Sequence, residues 1–337
     1  MKAIRLRQPA SLDNLYADST DAPPPRRGEI RVRIHAASLN FRDCLVVAGY
    51  FPSRDGLIPL SDGAGEVIDV GEDVPNLQPG DMVVSCFHPG WFDGHLERTQ
   101  LRHSPGGMAD GFACEAVTRP YWHFTPAPKG WTAAESATLT CAGVTAWRAL
   151  VTDGQVKSGA AVLILGTGGV SLAALQIAKA AGAKVIATSS SAEKIARLKA
   201  LGADHTINYS EVENWGEAVQ DLTDGLGVDH VVEVAGPNTL PQSMIAARTG
   251  GHIAIIGGAG GFENDAMPFK IVQAKRLRLQ GVTVGSRRDQ LDMVRAFDAD
   301  GRMRPVIDCT FPLDELAEAL HYQQEESGRI GKVCIAI

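Results

Sequence analysis

From about residue 132 to about residue 285 the sequence alternates two kinds of segment. Short, mostly apolar runs (AAVLILG, KVIATS, VDHVVEVAG, GHIAIIGG) are separated by longer runs with apolar residues at helical spacing. GGVSLAALQIAKAAGA carries Val170, Ala173, Ala174, Ile177, Ala178 and Ala181 at that spacing, and AEKIARLKALGA follows KVIATS as a second helix. LRLQGVTVG ends the series, and residues 278–284 are expected to form the edge strand of the sheet. A strand that is apolar on both faces must be covered on both faces, and the intervening helices supply the cover. The pattern predicts an α/β, doubly wound parallel sheet.

The remaining segments differ. GEIRVRIHAASLN alternates Ile30, Val32 and Ile34 with Arg31, Arg33 and His35, the period of a half-buried strand. GAGEVIDVGEDV and GDMVVSCF read as further short strands, and residues 87–112 as a long Gly-rich loop. After Ser286 come a helix (RDQLDMVRAF), a second helical run (DELAEALHYQQE) and the strand KVCIAI. A chain of 337 residues with this change of pattern predicts two domains, one β-rich and one α/β.

Charge excludes some functions. Lys plus Arg is 32 and Asp plus Glu is 39, a net charge of −7 with no basic block. Nucleic-acid binding needs clustered cations, so none is expected. No apolar run reaches the roughly 18 residues of a membrane span, and the N-terminal sequence has no signal-peptide core. The six cysteines form no CxxC pair, which argues against a zinc ribbon, a redox dithiol or a disulfide framework. A cytoplasmic protein with reduced thiols is expected.

The strand–turn–helix string VLILGTGGVSLAALQ carries the chemistry. Gly166 permits a tight turn, and Gly168 lets backbone approach a pyrophosphate. The helix beginning near Gly169 and Val170 offers unpaired N–H groups and a positive dipole end. The third glycine position of the motif holds Ser171. A Gly-rich turn without a ligand is the alternative, but this strand-to-helix context favours dinucleotide binding. The next strand ends in Thr188, Ser189, Ser190 and Ser191, with no carboxylate before Glu193 and with Lys194 beyond. An NAD site normally places an acid there for the ribose hydroxyl. Hydroxyls and a cation suit a 2′-phosphate instead, so the cofactor is expected to be NADPH (NADP+). The competing reading makes Ser190 a helix cap and Lys194 a solvated lysine.

Several strings together resemble the medium-chain dehydrogenase/reductase superfamily: SLNFRD, PLSDGAGEVIDVGEDV, PGDMVV, GGMADGFACEAV, ESATLTCAGVTAWRAL, ALGADHTINY, VVEVAGPNTL and GHIAIIGG. The resemblance covers nearly the whole chain. It implies a GroES-like catalytic domain (1–142 and 286–337) and a Rossmann domain (143–285). It places Asn40 and Thr145 near the nicotinamide, and Lys194 and Tyr209 on the 2′-phosphate. It runs Gly257 and the string Val282, Val284 and Ser286 along the nicotinamide side, and has Arg329 close over the cofactor. Asp43, the last residue of the Asn-x-x-Asp string, is a further catalytic candidate, with a structural role as its alternative.

The superfamily divides by metal. The positions resembling the catalytic zinc ligands hold Asn40, Ser61 and Cys141, with Asp62 in place of the neighbouring Glu, and residues 87–112 contain no cysteine. The resemblance is therefore to the zinc-independent, quinone-oxidoreductase-like branch, and LNFRD also resembles polyketide synthase enoylreductase domains. Relatives proposed to use a tyrosine proton donor have it near the Asn-x-x-Asp string; here Cys44, Leu45 and Val46 stand there, and the nearest tyrosine is Tyr50. Cys141 reads as a small buried hydrophobe, and His88 and His95 as surface histidines. Trp91, Phe92 and Phe112 are candidates to wall an apolar pocket, with core packing as the alternative. The expected activity is NADPH-dependent reduction of a small-molecule quinone, enone or activated carbonyl by a homodimer. An NADP-linked alcohol or aldehyde dehydrogenase and a low-turnover NADP(H)-binding protein are the alternatives.

Overall fold

A computed structural model describes residues 1–258, 261 and 268–337. The chain divides into two compact units, one of residues 1–144 with 284–337 and one of residues 145–283.

The first unit is built on antiparallel strands. β1 (Lys2–Leu6) pairs with β2 (Leu15–Ser19). β3 (Glu29–Ser38) is the longest strand, and its alternation holds: Ile30, Val32 and Ile34 face the core. β4 (Asp62–Val70), β5 (Met82–Ser85), β6 (Ala116–Pro120) and β7 (Phe124–Pro126) follow. Between β5 and β6 the chain is irregular apart from a 3-10 turn at Arg98–His103. The core collects Leu39, Leu57, Leu60, Val83, Phe112, Phe124, Leu320 and Ile335. Phe112 therefore fills the core rather than walling a pocket, and Gly63 leaves room for its ring.

The second unit carries the predicted parallel sheet. β8 (Ala161–Leu165), β9 (Lys184–Ser189), β10 (His205–Asn208), β11 (Val228–Glu233), β12 (Ala247–Ile255) and β13 (Arg278–Gly281) lie in the order β10-β9-β8-β11-β12-β13. All the pairings are parallel. β13 is an edge strand, as expected for residues 278–284, though shorter than that range. Val162, Leu163, Ile164, Val185, Ile186, Val231, Val232 and Ile253 are buried, as strands covered on both faces require.

The chain then returns to the first unit. A helix, Arg287–Asp300, is followed by β14 (Ile307–Pro312), a helix at Leu316–Glu325 and β15 (Lys332–Ala336). The sequence gives β14 no clean alternation, and none was expected there; it pairs in parallel with β15. β15 lies between β14 and β3 in the order β14-β15-β3-β4-β5-β7. Gly331 turns the chain into β15 with φ +100°, and a Cβ there would strike the Val306 carbonyl.

Candidate functional site

In the second unit the site grows out of one turn. β8 ends at Leu165, and Gly166 takes φ +71°, which an L side chain rarely adopts. Gly168 then caps the helix Gly169–Ala180, whose first turn includes Val170. A Cβ added at Gly166 or Gly168 would meet no atom within 4 Å. The two glycines thus leave an open cradle at the N-terminus of a twelve-residue helix. Ser171 explains how a non-glycine serves at the third position: its buried Oγ donates to the Leu165 carbonyl at 2.6 Å, which fastens helix to strand.

The next strand sets Ser189 beside Tyr209. Ser189 ends β9 and accepts the Tyr209 N–H at 3.0 Å, and Ser210 Oγ donates to the Ser190 carbonyl at 3.2 Å. Ser190 and the Tyr209 ring are exposed, whereas Ser189 is buried. The helix Ala192–Ala200 is capped by Ser191, which accepts the Lys194 N–H; Ser190 is not the cap. Ser189 and Tyr209 thus lie at the adjoining ends of neighbouring strands, with Lys194 in the first turn of the helix that follows. Gly257 lies just past β12, and buried Val282 donates its N–H to the Ile255 carbonyl at 2.9 Å. Thr145 is buried at the start of this unit.

The first unit gathers a polar chain. Asn40 is 8% exposed and begins the helix Phe41–Val47. Its Nδ2 donates to Ser61 Oγ at 3.1 Å, and Ser61 Oγ donates to Asp62 Oδ1 at 2.8 Å. From the other side Lys332 Nζ donates to Asn40 Oδ1 at 2.5 Å and to the Leu39 carbonyl. Lys332 is 6% exposed. Burial pushes the fully buried Asp62 carboxyl up to about 6, with the Lys332 charge opposing. Cys141 lies in a π-turn, Leu139–Gly143; burial and then the Asp62 charge push its thiol well above the ordinary range. A π-turn in a helix is often a functional feature.

Asp43 is buried and bonded within its own turn. Its Oδ2 accepts the Asn40 N–H at 2.9 Å, and the Arg42 guanidinium lies 3.8 Å from Oδ1. Burial raises its carboxyl, with Arg42 opposing. Asp43 holds Asn40 in place. Ser286 has a comparable role: its Oγ donates to Asp289 Oδ2 at 2.7 Å and accepts the Asp289 N–H, capping the helix Arg287–Asp300. Val284 adopts φ +59°, a conformation strained for a β-branched residue. Arg329 is partly buried, and its Nη1 contacts the Gly331 carbonyl at 3.4 Å. His88 is buried rather than superficial, with Nδ1 2.9 Å from Ser104 Oγ; His95 is exposed. Trp91 is buried and Phe92 exposed.

The member of this polar cluster that sequence reasoning missed is Lys332. As the first residue of KVCIAI it reads as a solvated strand end. The one signal for it was a lysine leading an otherwise apolar strand.

Zinc-type relatives raise the question of a metal. Among the described residues no group of three or more His, Cys, Asp or Glu is placed to hold one. Asn40 and Ser61 are weak neutral donors, and the ammonium of Lys332 points into the same cluster. A divalent cation needs anionic or imidazole ligands and is repelled by an ammonium, so these residues do not fit one.

Comparison with known proteins matches these features. Residues 26–129 match the alcohol dehydrogenase GroES-like domain, and residues 169–299 match the zinc-binding dehydrogenase model. A zinc-type alcohol dehydrogenase-like protein of Schizosaccharomyces pombe is 40% identical over 97% of this chain and 96% of its own length. A protein of Sinorhizobium meliloti 1021 provisionally named an alcohol dehydrogenase is 41% identical in its crystal structure. The TM-score is 0.92, covering 100% of this chain and 99% of the other. An acryloyl-coenzyme A reductase of Sulfurisphaera tokodaii is 28% identical over 99% of both chains. The chain belongs to the medium-chain dehydrogenase/reductase superfamily, whose members are oxidoreductases that bind NAD(P). Its fold is the GroES-like domain with a Rossmann-like parallel sheet.

Proposed function

We propose that this chain is a metal-independent, NADPH-dependent reductase of a quinone, an enone or another activated carbonyl, of the quinone-oxidoreductase-like branch. The observation that carries the reading is the cluster of Asn40, Ser61 and Lys332, a donor set unsuited to zinc but suited to an oxygen that gains negative charge. Ser189, Ser190, Lys194 and Tyr209 support NADPH over NADH, and the cradle at Gly166, Gly168, Gly169 and Val170 supports the pyrophosphate. The cofactor supplies a hydride when bound. The chain's own residues orient the acceptor and stabilise charge. Asn40 keeps one amide N–H beyond its bond to Ser61, and backbone N–H groups add to it. The proton comes from water. Cys44, Leu45 and Val46 offer no tyrosine, and Tyr50 is exposed.

A steady-state assay of NADPH oxidation over quinones, enones, enoyl thioesters and aldehydes tests the reading. Turnover of an activated carbonyl or enone with no metal bound is expected. Alcohol oxidation that stops on chelation would favour the alcohol dehydrogenase reading, which the name of the Schizosaccharomyces pombe relative supports. Cofactor binding without turnover of any acceptor would leave a low-turnover NADP(H)-binding protein. The protein is proposed to be cytoplasmic; no helix of the described residues is long and apolar enough to cross a membrane. It is also proposed to be a homodimer, with the exposed edge strand β13 pairing with its copy. Light scattering at micromolar concentration should give twice the chain mass.

A further inference from the structure

Lys332 is an expensive way to hold a strand in place. Its ammonium is buried, yet among the described residues no carboxylate lies within 4.0 Å of Nζ. Its two acceptors, Asn40 Oδ1 and the Leu39 carbonyl, are both neutral. Two carboxylates act on it from farther off: Asp43, and Asp62, which is linked to it through Asn40 and Ser61 along bonds of 3.1 and 2.8 Å. Among the described residues, buried Asp62 Oδ2 has no hydrogen-bond partner.

A buried charge costs much less when it is paired directly, and a neutral residue of the same shape often replaces a buried ion with a gain in stability. A tie between β15 and the end of β3 needs no charge, because Leu39 N–H already donates to the Val333 carbonyl at 2.9 Å. What the arrangement preserves is a positive charge that is fixed, dry and not quenched by contact with a carboxylate. An ammonium has three N–H donors, and two are used. The third remains for one more acceptor.

We propose that Lys332 is the electrophile of the site, and that its third N–H receives the substrate oxygen on which negative charge develops. This rests on the reductase reading and adds to it the group that takes the oxygen. Two electrons and a hydrogen nucleus arrive at carbon as hydride, and the π pair of the C=O moves onto oxygen. For an enone, hydride adds at the β carbon and the conjugated pairs shift to leave an enolate. Lys332 holds the resulting oxyanion by a charge-assisted hydrogen bond, and a proton from water completes the product. Asn40 fixes the direction of the ammonium through Oδ1, and the distant Asp62 compensates its charge without capping it. A fixed ammonium here does electrostatically what a Lewis acid does elsewhere.

The test uses 4-nitrophenol, whose absorption distinguishes phenol from phenolate, titrated into the protein with NADP+ present. Wild type should bind it as the phenolate. Lys332→Met keeps the apolar stem and removes the charge; it should weaken probe binding at least tenfold and return the bound form to neutral phenol. NADPH affinity should stay within twofold. With an acceptor that wild type reduces, kcat should fall at least a hundredfold while KM changes little. Lys332→Gln keeps a donor for the Leu39 carbonyl and should show the same losses if the Met variant folds poorly. Failure of wild type to bind phenolate, or equal binding by wild type and both variants, overturns the assignment. If wild type reduces an acceptor and the variants keep kcat, the assignment fails while the reductase reading stands. If no acceptor is reduced but the probe behaves as described, the reductase reading fails and Lys332 is still the oxyanion-binding group.

Discussion

The two units build their sites in opposite ways. In the second, the cradle is backbone: Gly166, Gly168 and the helix after them lie within a few consecutive residues, and the empty space is made by leaving out side chains. In the first, the cluster is side chain, and it joins Asn40 to Lys332 across 292 residues of sequence. A backbone site tolerates no addition, because any Cβ occupies the ligand's place. A side-chain site tolerates no subtraction, because each member holds the next.

Four substitutions would break or sharpen that contrast. The largest effect is expected from Gly168→Val. Its φ of −74° and ψ of 170° are open to any residue, and the new Cβ meets nothing in the protein. Melting temperature should hardly move, while NADPH and NADH should both bind on the order of a hundredfold more weakly, the scale of losing one or two charged hydrogen bonds. Unchanged cofactor titrations would show that the turn is not a phosphate cradle.

Asp62→Asn comes next and acts on stability. The folded state raises this carboxyl from 3.8 to about 6. A raised folded value means that the fold favours the protonated form. That advantage is complete below pH 3.8 and is lost as pH rises through about 6. At 1.36 kcal/mol per pH unit the carboxylate burdens the fold by at most about 3 kcal/mol at neutral pH. Asp62→Asn should therefore gain on wild type in urea midpoint between pH 4 and pH 7. A difference that stays flat over that range would contradict the burial argument.

Lys194→Ala should raise the NADPH Kd by about ten- to 150-fold, since a hydrogen bond to a charged group contributes roughly 1.5–3 kcal/mol. NADH has no phosphate for the lysine to hold and should bind as before. Unchanged NADPH affinity in fluorescence titrations would make Lys194 an ordinary surface cation, and equal losses for the two cofactors would place it on a group they share. The smallest effect belongs to Ser286→Ala, which removes a helix cap worth about 1 kcal/mol. NADPH affinity should stay level while melting temperature falls. A selective loss of NADPH binding would show that Ser286 serves the cofactor as well as the helix.

What could be read in the sequence follows the same division. The parallel sheet and its turn were legible because period and spacing are local properties: β8, Gly166 and the following helix lie in one string. β14 was not, because IDCTFP is half-buried along its length and shows no alternation. His88 was taken for a surface residue because it lies in a polar, Gly-rich stretch, and its burial depends on Phe87, Trp91 and Ser104 packed around it. Asp43 reads both as a catalytic candidate and as a structural residue of its motif, and its hydrogen bond goes to the Asn40 backbone three residues away. Lys332 was missed, since a lysine leading an apolar strand does not say that it meets Leu39 and Asn40, almost 300 residues away in sequence.

The place of β15 in the sheet also sets an order of birth. The first unit is split in sequence, and the whole second unit, residues 145–283, is synthesised between its two parts. At the roughly 5–20 residues per second of translation, that insertion takes about 7–30 seconds. During that time the Ser38 end of β3 waits without the neighbour that will later pair with it there. The nucleotide-binding unit, being contiguous, is free to fold first. Asn40 receives its cation only after the return segment has been made and has slotted in beside β3. A newly made molecule thus passes through a stage in which the Ser38 end of β3 is an open strand edge, the kind of surface that chaperones protect.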